Sequence, residues 1–382
     1  MNVQVIFFWQ IIFTMTFQLF LNAEVTGDVS KYNRSRNLND IVDTISDNDN
    51  IENADIRLDN FCQIGQVPWN MNAIRNELDL FHEAYYERPI ERNMGGTNLF
   101  HAFSIWCLVR FIKPKFIIES GGFRGWGTYL LRKAAGSDTH IIVITPSSPS
   151  KVGGQFYIDK ISSTYLTDEK FKDFNKVDWK SIGLDTPEKL ASTLIFFDDH
   201  QAGYRRLIEA QQAGFTHIMY DDNYPWPGDN YSLKQTCDNS GYLSYVKKSI
   251  NLEKVRKSHN TININFKNRN QLAPYFDNFA KRKQPMDLKK KNCLYQDMKK
   301  RVEIYYEFPP LWYGKYRGQD IPMINTILQS PVMNDSKEIH DYINQFKNKK
   351  LNAGWEASMY TFFLYVKINR NIEKVTDCGI DL

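Results

Sequence analysis

The sequence predicts an α/β fold: a doubly wound, mostly parallel sheet with helices on both faces. Three observations lead to this prediction. Short apolar runs of strand length alternate along the chain with segments of helical periodicity. Two of these runs, Leu194–Phe197 and His217–Tyr220, end abruptly in acidic residues, as expected where buried parallel strands reach a sheet edge. An earlier run, Lys115–Glu119, leads straight into a glycine-rich turn, which is how nucleotide-binding βαβ units begin.

The composition is that of an ordinary globular protein. Of 382 residues, 42% are hydrophobic and 24% are charged, so a sizeable core can form. The formal net charge of +4 is too small to indicate a nucleic-acid partner. An aromatic content of 14% suits a packed core and, in smaller part, aromatic surfaces around a sugar. We therefore expect a small-molecule or glycan substrate and no nucleic acid.

The N-terminus indicates entry into the secretory pathway. Val3–Leu21 is a long apolar run followed by a polar tract, which predicts a cleaved signal peptide or a signal anchor over residues 1–23. Residues 24–60 are rich in Asp and Asn and predict a flexible linker, which leaves residues 61–382 for the folded domain. We expect a secreted protein, or one in the ER or Golgi lumen that its N-terminal segment anchors to the membrane.

Cysteines and glycosylation acceptors are consistent with that compartment. The five cysteines include no C-x-x-C pair, so a zinc site is not indicated. One or two disulfides can form, at least one thiol must be left over, and the sequence does not give their pairing. Acceptor tripeptides of the N-x-S type begin at Asn33, Asn230 and Asn334, so we expect a glycoprotein.

The first half of the predicted domain has two helices followed by the βαβ unit. The second predicted helix is strongly apolar and stops before Pro114. A third strand is expected in the polar stretch that follows the unit. In chain order these elements are helices over Trp69–Tyr86 and Asn98–Ile112, a strand over Lys115–Glu119, a helix over Tyr129–Ala135, and strands over His140–Thr145 and around Gln155–Ile158.

The second half continues the alternation and then adds an insert. A short amphipathic helix with Gly214 as its stop separates the strands Leu194–Phe197 and His217–Tyr220. Residues 239–300, rich in Lys and Asn, predict an insert between the fifth and sixth strands. The remaining elements are a strand over Val302–Phe308, a helix over Ile339–Phe346 and a last strand over Ser358–Ile368.

The glycine-rich turn has the spacing E-x-G-x-x-x-G-x-G-T rather than the dinucleotide spacing G-x-G-x-x-G. Without a Cβ atom, Gly121 and Gly125 let the backbone turn tightly and approach a ligand. The N–H groups that open the next helix would then face the ligand's polar groups. The alternative is that the glycines only make a tight strand-to-helix turn. That alternative does not explain the acid Glu119 at the end of the strand.

Two acidic pairs are the strongest chemical signal in the chain. Asp198 and Asp199 precede His200, and Asp221 and Asp222 precede Asn223, each pair directly after an apolar run. Because parallel strands deliver their carboxyl ends to one edge, these oxygens can hold a divalent cation there. The alternative is that the acids cap neighbouring helices and loops. Successive residues point to opposite faces, so the sequence leaves open which Asp of each pair faces the site.

The order of these motifs resembles the class I S-adenosylmethionine-dependent methyltransferases over about residues 98–229. Within that class the chain is most similar to metal-dependent O-methyltransferases of the catechol O-methyltransferase type and to the related cephalosporin hydroxylase-like and rhamnosyl O-methyltransferase group. The resemblance implies a Rossmann-like methyltransferase fold, with S-adenosylmethionine and Mg²⁺ or another divalent cation as cofactors. It implies a cofactor site at Glu119, Gly121, Gly125, Gly127 and Thr128 and metal ligands at Asp199, Asp222 and Asn223.

Two departures from the family pattern bear on activity. Thr145 stands where the family has an acid that binds the cofactor ribose, and Ala202 stands where catechol methyltransferases have a lysine base. His200 is the substitute candidate for the base, and its alternative is a helix-capping or core histidine. The favoured function is O-methylation of a glycan or small-molecule hydroxyl. The alternatives are a metal-dependent glycosyltransferase and a secreted, catalytically inactive protein that keeps the fold for binding.

Overall fold

The computed structural model describes residues 64–91, 96–223, 232–237, 288–312, 315–316, 319–320, 330–346, 362–370 and 378. All of these belong to one compact unit, Asn60–Leu382. The predicted signal segment and linker therefore lie outside the described residues. Among the described helices, none is both long and apolar enough to cross a membrane.

A seven-stranded sheet organises the domain. Its first five strands are parallel to one another, and the strand from the C-terminal end of the chain runs antiparallel to both of its neighbours. The strands are β1 Phe116–Ser120, β2 His140–Ile144, β3 Ser163–Leu166, β4 Thr193–Phe197, β5 His217–Tyr220, β6 Val302–Glu307, the two-residue strands β7 Lys315–Tyr316 and β8 Gln319–Asp320, which form a separate hairpin, and β9 Leu364–Ile368. The sheet order is β3-β2-β1-β4-β5-β9-β6.

Helices cover both faces of this sheet. The longest described helices are an apolar one before β1 and a lysine-rich one before β6. The described helices are α1 Met71–Arg75, α2 Leu78–Tyr86, α3 Leu99–Ile112, α4 Trp126–Ala135, α5 Pro187–Ala191, α6 Gly203–Gln212, α7 Lys234–Cys237, α8 Leu288–Arg301 and α9 Ser336–Asn344. The side chain of Asn98 caps the N-terminus of α3 by accepting the N–H groups of Phe100 and His101.

The alternation of side chains along each strand divides the core into two layers. In β1, Ile117 packs with α2, α3 and α4 on one face, whereas Ile118 packs with α6 and α8 on the other. Both isoleucines are 0% exposed. Strands that are buried on both faces need apolar residues at every position, which explains why the predicted strands are continuous apolar runs.

The architecture confirms the predicted fold class, an α/β doubly wound and mostly parallel Rossmann-like sheet. The third strand is the clearest error of position, because β3 occupies Ser163–Leu166 and residues 155–158 are irregular. This strand lies at the sheet edge and is only partly buried, so its Ser-Thr-rich sequence has no apolar run. The helix predicted over Trp69–Tyr86 is two helices, α1 and α2, separated at Asn76 and Glu77.

Later elements agree in position with only small shifts. The predicted last strand begins at Leu364, and Phe362 and Phe363 precede it as irregular chain. Residues 238–287, most of the predicted insert, lie outside the described residues. Its C-terminal end is helix α8, which packs Leu294 and Met298 into the core beside the sheet.

Candidate functional site

The glycine-rich turn brings the end of β1 against the end of β4. Gly121 has φ +112°, and a Cβ atom there would lie 2.1 Å from the carbonyl oxygen of Asp198. Gly125 has φ +85° and is the N-cap of α4, and a Cβ atom there would lie 2.1 Å from the carbonyl oxygen of Tyr157. Both positions therefore require glycine, and in both cases the close approach is to the protein's own backbone.

Glu119 and Thr128 bind each other beneath this turn. The Thr128 hydroxyl donates to the Glu119 carboxyl, and the two residues are 1% or less exposed. A Cβ atom on Gly127 would lie 2.3 Å from Glu119 Oε1, so this glycine makes room for the carboxyl. Burial raises the pKa of Glu119 to about 7, although hydrogen bonds from the Thr128 side chain and backbone lower it. The acid that closes the strand thus joins β1 to the first turn of α4.

The end of β2 offers no acid to a ligand. Thr145 is 5% exposed and its N–H donates to the carbonyl of Leu166 on β3. The segment around Gln155 and Tyr157, which follows this strand, instead lies on the glycine-rich turn, where the Tyr157 N–H donates to the Arg124 carbonyl at 2.8 Å. The surface of the turn is consequently left to Gly121, Phe123 and Arg124.

The two acids after β4 point to different surroundings. Asp199 accepts from the guanidinium of Arg206 and from the hydroxyl of Ser120, each at 2.7 Å. Arg206 lies on α6 and is 1% exposed. Asp198 instead lies near His200 and Asp222, and no described residue donates a hydrogen bond to its carboxyl. Alternation along the chain thus commits Asp199 to an ion pair and leaves Asp198 open.

The two acids after β5 divide in the same way. Asp221 lies 2.8 Å from Nδ1 of His101, and both side chains are buried. Nε2 of His101 accepts the N–H of Phe362, so Nδ1 carries the proton and donates it to Asp221. Asp222 instead lies 2.9 Å from Nδ1 of His200, whose side chain is 61% exposed.

Asn223 is bound on all sides by the protein. Its amide donates to the Tyr305 hydroxyl at 2.8 Å and its carbonyl oxygen accepts the N–H of Lys234 at 3.0 Å. Lys234 in turn forms a buried ion pair with Glu307 at 2.6 Å. This network fastens the end of β5 to β6 and α7.

Asp198, His200 and Asp222 converge at the edge between β4 and β5. One potential ligand atom from each lies within 4.8 Å of the other two, and all three residues line a small depression. Burial of its carboxyl raises the pKa of Asp198 well above the usual range, and the nearby carboxylate of Asp221 raises it further. His200 has φ +54°, a left-handed conformation that holds its ring beside Asp222.

The three predicted metal ligands differ in their contacts. Asp222 belongs to the convergent group, whereas Asp199 and Asn223 are bound by Arg206, Ser120 and the network around Lys234, which counts against them as ligands. The sequence analysis predicted His200 as a proton acceptor and chose Asp199 from its pair while leaving open which Asp faces the site. The structure groups Asp198, and not Asp199, with His200 and Asp222, because Asp199 meets the buried Arg206.

Two further residues of this edge were missed. His101 stands as a single histidine within the apolar segment of α3, a pattern that signals a buried polar partner. Arg124 lies on the glycine-rich turn, and its buried Nε has no hydrogen-bond partner among the described residues. Its guanidinium packs on the ring of Phe123, a residue with φ +37°. Strained, non-glycine backbone at Phe123 and His200 is typical of functional edges.

Neither a family model nor a curated protein matches this sequence. Solved structures that align with it include a protein from Klebsiella pneumoniae provisionally described as an O-methyltransferase, with 17% identity, 41% of this chain and 67% of that chain covered, and a TM-score of 0.26. Another is the SAH-bound Podospora anserina methyltransferase PaMTH1, with 14% identity, 51% and 73% coverage, and a TM-score of 0.21. A third is cofactor-bound Rv0187 from MTB, with 15% identity, 39% and 64% coverage, and a TM-score of 0.22.

These alignments are too distant to carry an argument about this chain. This chain spans about two thirds of the length of the Klebsiella protein and of Rv0187. The fold assignment above therefore rests on the observed strand order and directions.

Proposed function

We propose that this protein is an S-adenosylmethionine-dependent methyltransferase that transfers a methyl group to a hydroxyl of a glycan or small molecule. The observation that carries the proposal is the contact between Gly121 and the carbonyl of Asp198. The glycine-rich turn therefore lies directly beside the group of Asp198, His200 and Asp222, which supports the proposal. Donor and acceptor sites that share one sheet edge are what a group transfer between two bound molecules requires.

The bound cofactor would supply a methyl carbon activated by its positively charged sulfur. Transfer of that carbon to an acceptor hydroxyl oxygen would break its bond to sulfur, which would keep the electron pair, and would release the hydroxyl proton. The chain's own residues must hold the two molecules in line and dispose of the hydroxyl proton. That second task falls to the group of Asp198, His200 and Asp222, in which His200 has the exposed side chain. The role of His200 as proton acceptor stays a prediction.

The fit of the cofactor to this edge is partial. The turn has the tight glycine geometry, and Arg124 places a cation on it whose buried Nε has no hydrogen-bond partner among the described residues, which would suit an anionic group such as a carboxylate nearby. Against this, Glu119 and Thr128 are buried against each other, and Thr145 offers no carboxylate to a ribose. The family's metal set of Asp199, Asp222 and Asn223 does not fit, because two of its members are bound by other side chains.

Thermal unfolding with S-adenosylmethionine tests the proposal. A ligand that binds the folded state at about 100 times its Kd stabilises it by about 2.7 kcal/mol, so a rise in melting temperature is expected. Arg124→Gln should reduce the rise, whereas Lys133→Gln, an exposed cation on α4, should leave it unchanged. No rise with S-adenosylmethionine refutes the proposal. A rise with a nucleotide sugar alone would favour the glycosyltransferase alternative.

A catalytically inactive binding protein is the second candidate. The specific observation in its favour is that Tyr157 already occupies the space beside Gly125, so the turn is closed by protein on that side. A protein of this kind would bind a ligand at the depression near His200 without turnover. Stabilisation by S-adenosylmethionine together with failure to produce its demethylated product across a panel of glycan and catechol acceptors would support it.

We also propose that the chain folds in a lumenal or extracellular compartment. Cys293 and Cys378 form a disulfide with a sequence separation of 85, and Asn334 of one glycosylation acceptor is exposed. Cys107 is a buried free thiol. Cys62 and the side chain of Cys237 lie outside the described residues. Non-reducing peptide mapping of protein from eukaryotic culture medium should find the Cys293–Cys378 cross-link and a glycan on Asn334. A fully reduced, unglycosylated protein confined to the cytosol would contradict this location.

A further inference from the structure

We propose that this protein binds a small organic anion with an apolar, ring-containing body in a cavity at the end of the sheet opposite the glycine-rich turn. The cavity has a volume of about 390 Å³. That volume lies within the range of roughly 300–1,000 Å³ that is typical of small-molecule sites. The proposal goes beyond the proposed function and does not depend on it, since the glycine-rich turn and the acid pairs contribute nothing to this cavity.

The cavity lies where β4 and β5 begin. Its lining includes Leu190 on α5, which precedes β4, and Gly214, which follows α6 and precedes β5. Arg370 lies at the same end because β9 runs antiparallel to β5, with Lys367 opposite His217. The acid pairs follow the other ends of these strands, and the five residues of β4 separate the two ends by about 13 Å at about 3.3 Å per residue. The cavity is therefore a site of its own.

One wall of the cavity is apolar and is fixed by the core. Trp179, Leu184 and Leu190 line it. The ring of Trp179 packs on Phe174 and Phe215, with centroid distances of 4.9 and 5.2 Å. Leu184 is only 2% exposed and belongs to the same core layer as the two phenylalanines. Because core contacts hold the indole in place, this wall is formed before a ligand arrives and suits a flat or aliphatic body.

Two cations also line the cavity. They are Lys180 and Arg370, both with exposed side chains, and neither forms a hydrogen bond or an ion pair with a described residue. The acid in the lining, Asp185, is paired with Lys189 at 2.7 Å. The hydrogen bond from Lys189 lowers the pKa of Asp185, and the charge of Lys180 adds least to that effect. The lining thus keeps two positive charges for a ligand.

A second acid near these cations, Glu188, is not among the residues that line the cavity. Hydrogen bonds from its own N–H and from the Thr186 hydroxyl lower its pKa, and the charge of Arg370 lowers it further. The indole N–H of Trp179 has no acceptor among the described residues. An anionic group such as a carboxylate or a sulfonate would accept hydrogen bonds from Lys180, Arg370 and this indole. The charge and the apolar wall together define the ligand class.

Fluorescence titration of the full chain with anilinonaphthalene sulfonate tests the inference. Phenylnaphthylamine is the matched probe, because it has the same rings without the sulfonate. We expect one equivalent of the sulfonate to bind, about tenfold or more tightly than the amine. Lys180→Gln combined with Arg370→Gln should weaken sulfonate binding by about tenfold and leave amine binding unchanged. Lys172→Gln is the control variant, since Lys172 is an exposed cation outside the lining, and it should keep the wild-type affinity.

Several results would overturn the inference. They are the absence of saturable sulfonate binding, weak binding at several sites that marks an adventitious additive only, an amine affinity equal to or above that of the sulfonate, and unchanged sulfonate affinity in the double variant. If the double variant does not fold, Arg370→Gln alone decides by the same criterion. Displacement of the sulfonate by S-adenosylmethionine would place the probe at the glycine-rich turn and would also overturn it. A thermal shift with S-adenosylmethionine alone reports separately on the proposed function.

Discussion

Two histidine–aspartate pairs stand side by side at the end of β5, and burial distinguishes them. His101 lies 2.8 Å from Asp221 and His200 lies 2.9 Å from Asp222, so the contact distances are nearly equal. The side chain of His101 is 0% exposed and both of its ring nitrogens are bound, whereas that of His200 is 61% exposed. The first pair can only hold the fold together. The second can meet a ligand.

The same division occurs at the end of β4. Asp199 is tied to the buried Arg206, and Asp198 faces the open group. Because neighbouring residues of an extended chain point to opposite sides, an acidic pair gives one side chain to each layer of the core. In each pair one acid contacts a buried side chain, Asp199 with Arg206 and Asp221 with His101, and the other, Asp198 or Asp222, lies near His200.

We expect the largest loss of stability when His101 of the buried pair is replaced. His101→Leu leaves the buried Asp221 carboxylate and the Phe362 N–H without their histidine partner. Removing one partner from a buried pair costs about 3–5 kcal/mol, so we expect a loss of that size in the free energy of unfolding measured with urea. His200→Gln, the matched change in the exposed pair, should alter it by less than about 0.5 kcal/mol. Equal losses in the two variants would remove the distinction between the pairs.

Substitution of Arg206, the partner of Asp199, tests the same distinction for the acids after β4. Arg206→Met removes the buried guanidinium that contacts Asp199, Asp173 and Glu209, and should lower the free energy of unfolding by about 3 kcal/mol. Arg205→Met is the control on the same helix, because Arg205 also contacts Asp173 and Glu209 from a more exposed position. Its cost should stay below about 1 kcal/mol. Urea unfolding measures both losses. A larger loss of unfolding free energy in Arg205→Met than in Arg206→Met would contradict the assignment of Asp199 as structural.

Much of this fold could be predicted from the sequence, for a physical reason. Strands β1, β2, β4 and β5 are buried on both faces, so each is a continuous apolar run with an abrupt polar end. β3 is an edge strand that is only partly buried, and its residues Ser163–Leu166 lack such a run. Local pattern therefore locates central strands well and edge strands poorly.

The candidate site could be located but not resolved into individual ligands. The two acid pairs lie at one sheet edge, as predicted. Which acid is available depends on Arg206 from α6 and His101 from α3, and their positions follow from helix packing that no local pattern contains. The glycines were predicted to approach a ligand, yet Gly121 and Gly125 approach the backbone carbonyls of Asp198 and Tyr157. The spacing of glycines indicates that another group comes close to the backbone, but it does not show whether that group is a ligand or another part of the protein.

Glu119 is a third acid at a strand end, and its stability contribution can be tested by changing the pH. Its carboxyl accepts hydrogen bonds from the hydroxyl and the N–H of Thr128 and is not paired with a cation. Its folded-state pKa is raised to about 7 from the ordinary 4.5 by burial. A carboxyl with a raised pKa holds its proton more tightly in the folded state, so its contribution is full below pH 4.5 and is lost as the pH rises to about 7. The wild type should therefore lose stability relative to Glu119→Gln across that window, by about 1.4 kcal/mol for each pKa unit.

Urea unfolding of both proteins at several pH values between those limits measures the difference. The comparison with Glu119→Gln cancels the titration of the other acids at this edge to first order. A difference in unfolding free energy that stays constant with pH would show that Glu119 titrates normally and is not held in the buried arrangement with Thr128.

The smallest predicted effect has the opposite sign and concerns Asp198. Its carboxyl is crowded by the charges of Asp221 and Asp222. Asp198→Asn removes one like charge at nearly constant volume, so the metal-free protein should gain about 1 kcal/mol in the free energy of unfolding. Asp199→Asn, which weakens the contact with Arg206, should lose stability under the same conditions. Opposite signs for these adjacent acids would show that only Asp199 stabilises the fold, whereas a loss in both would mean that Asp198 is structural as well.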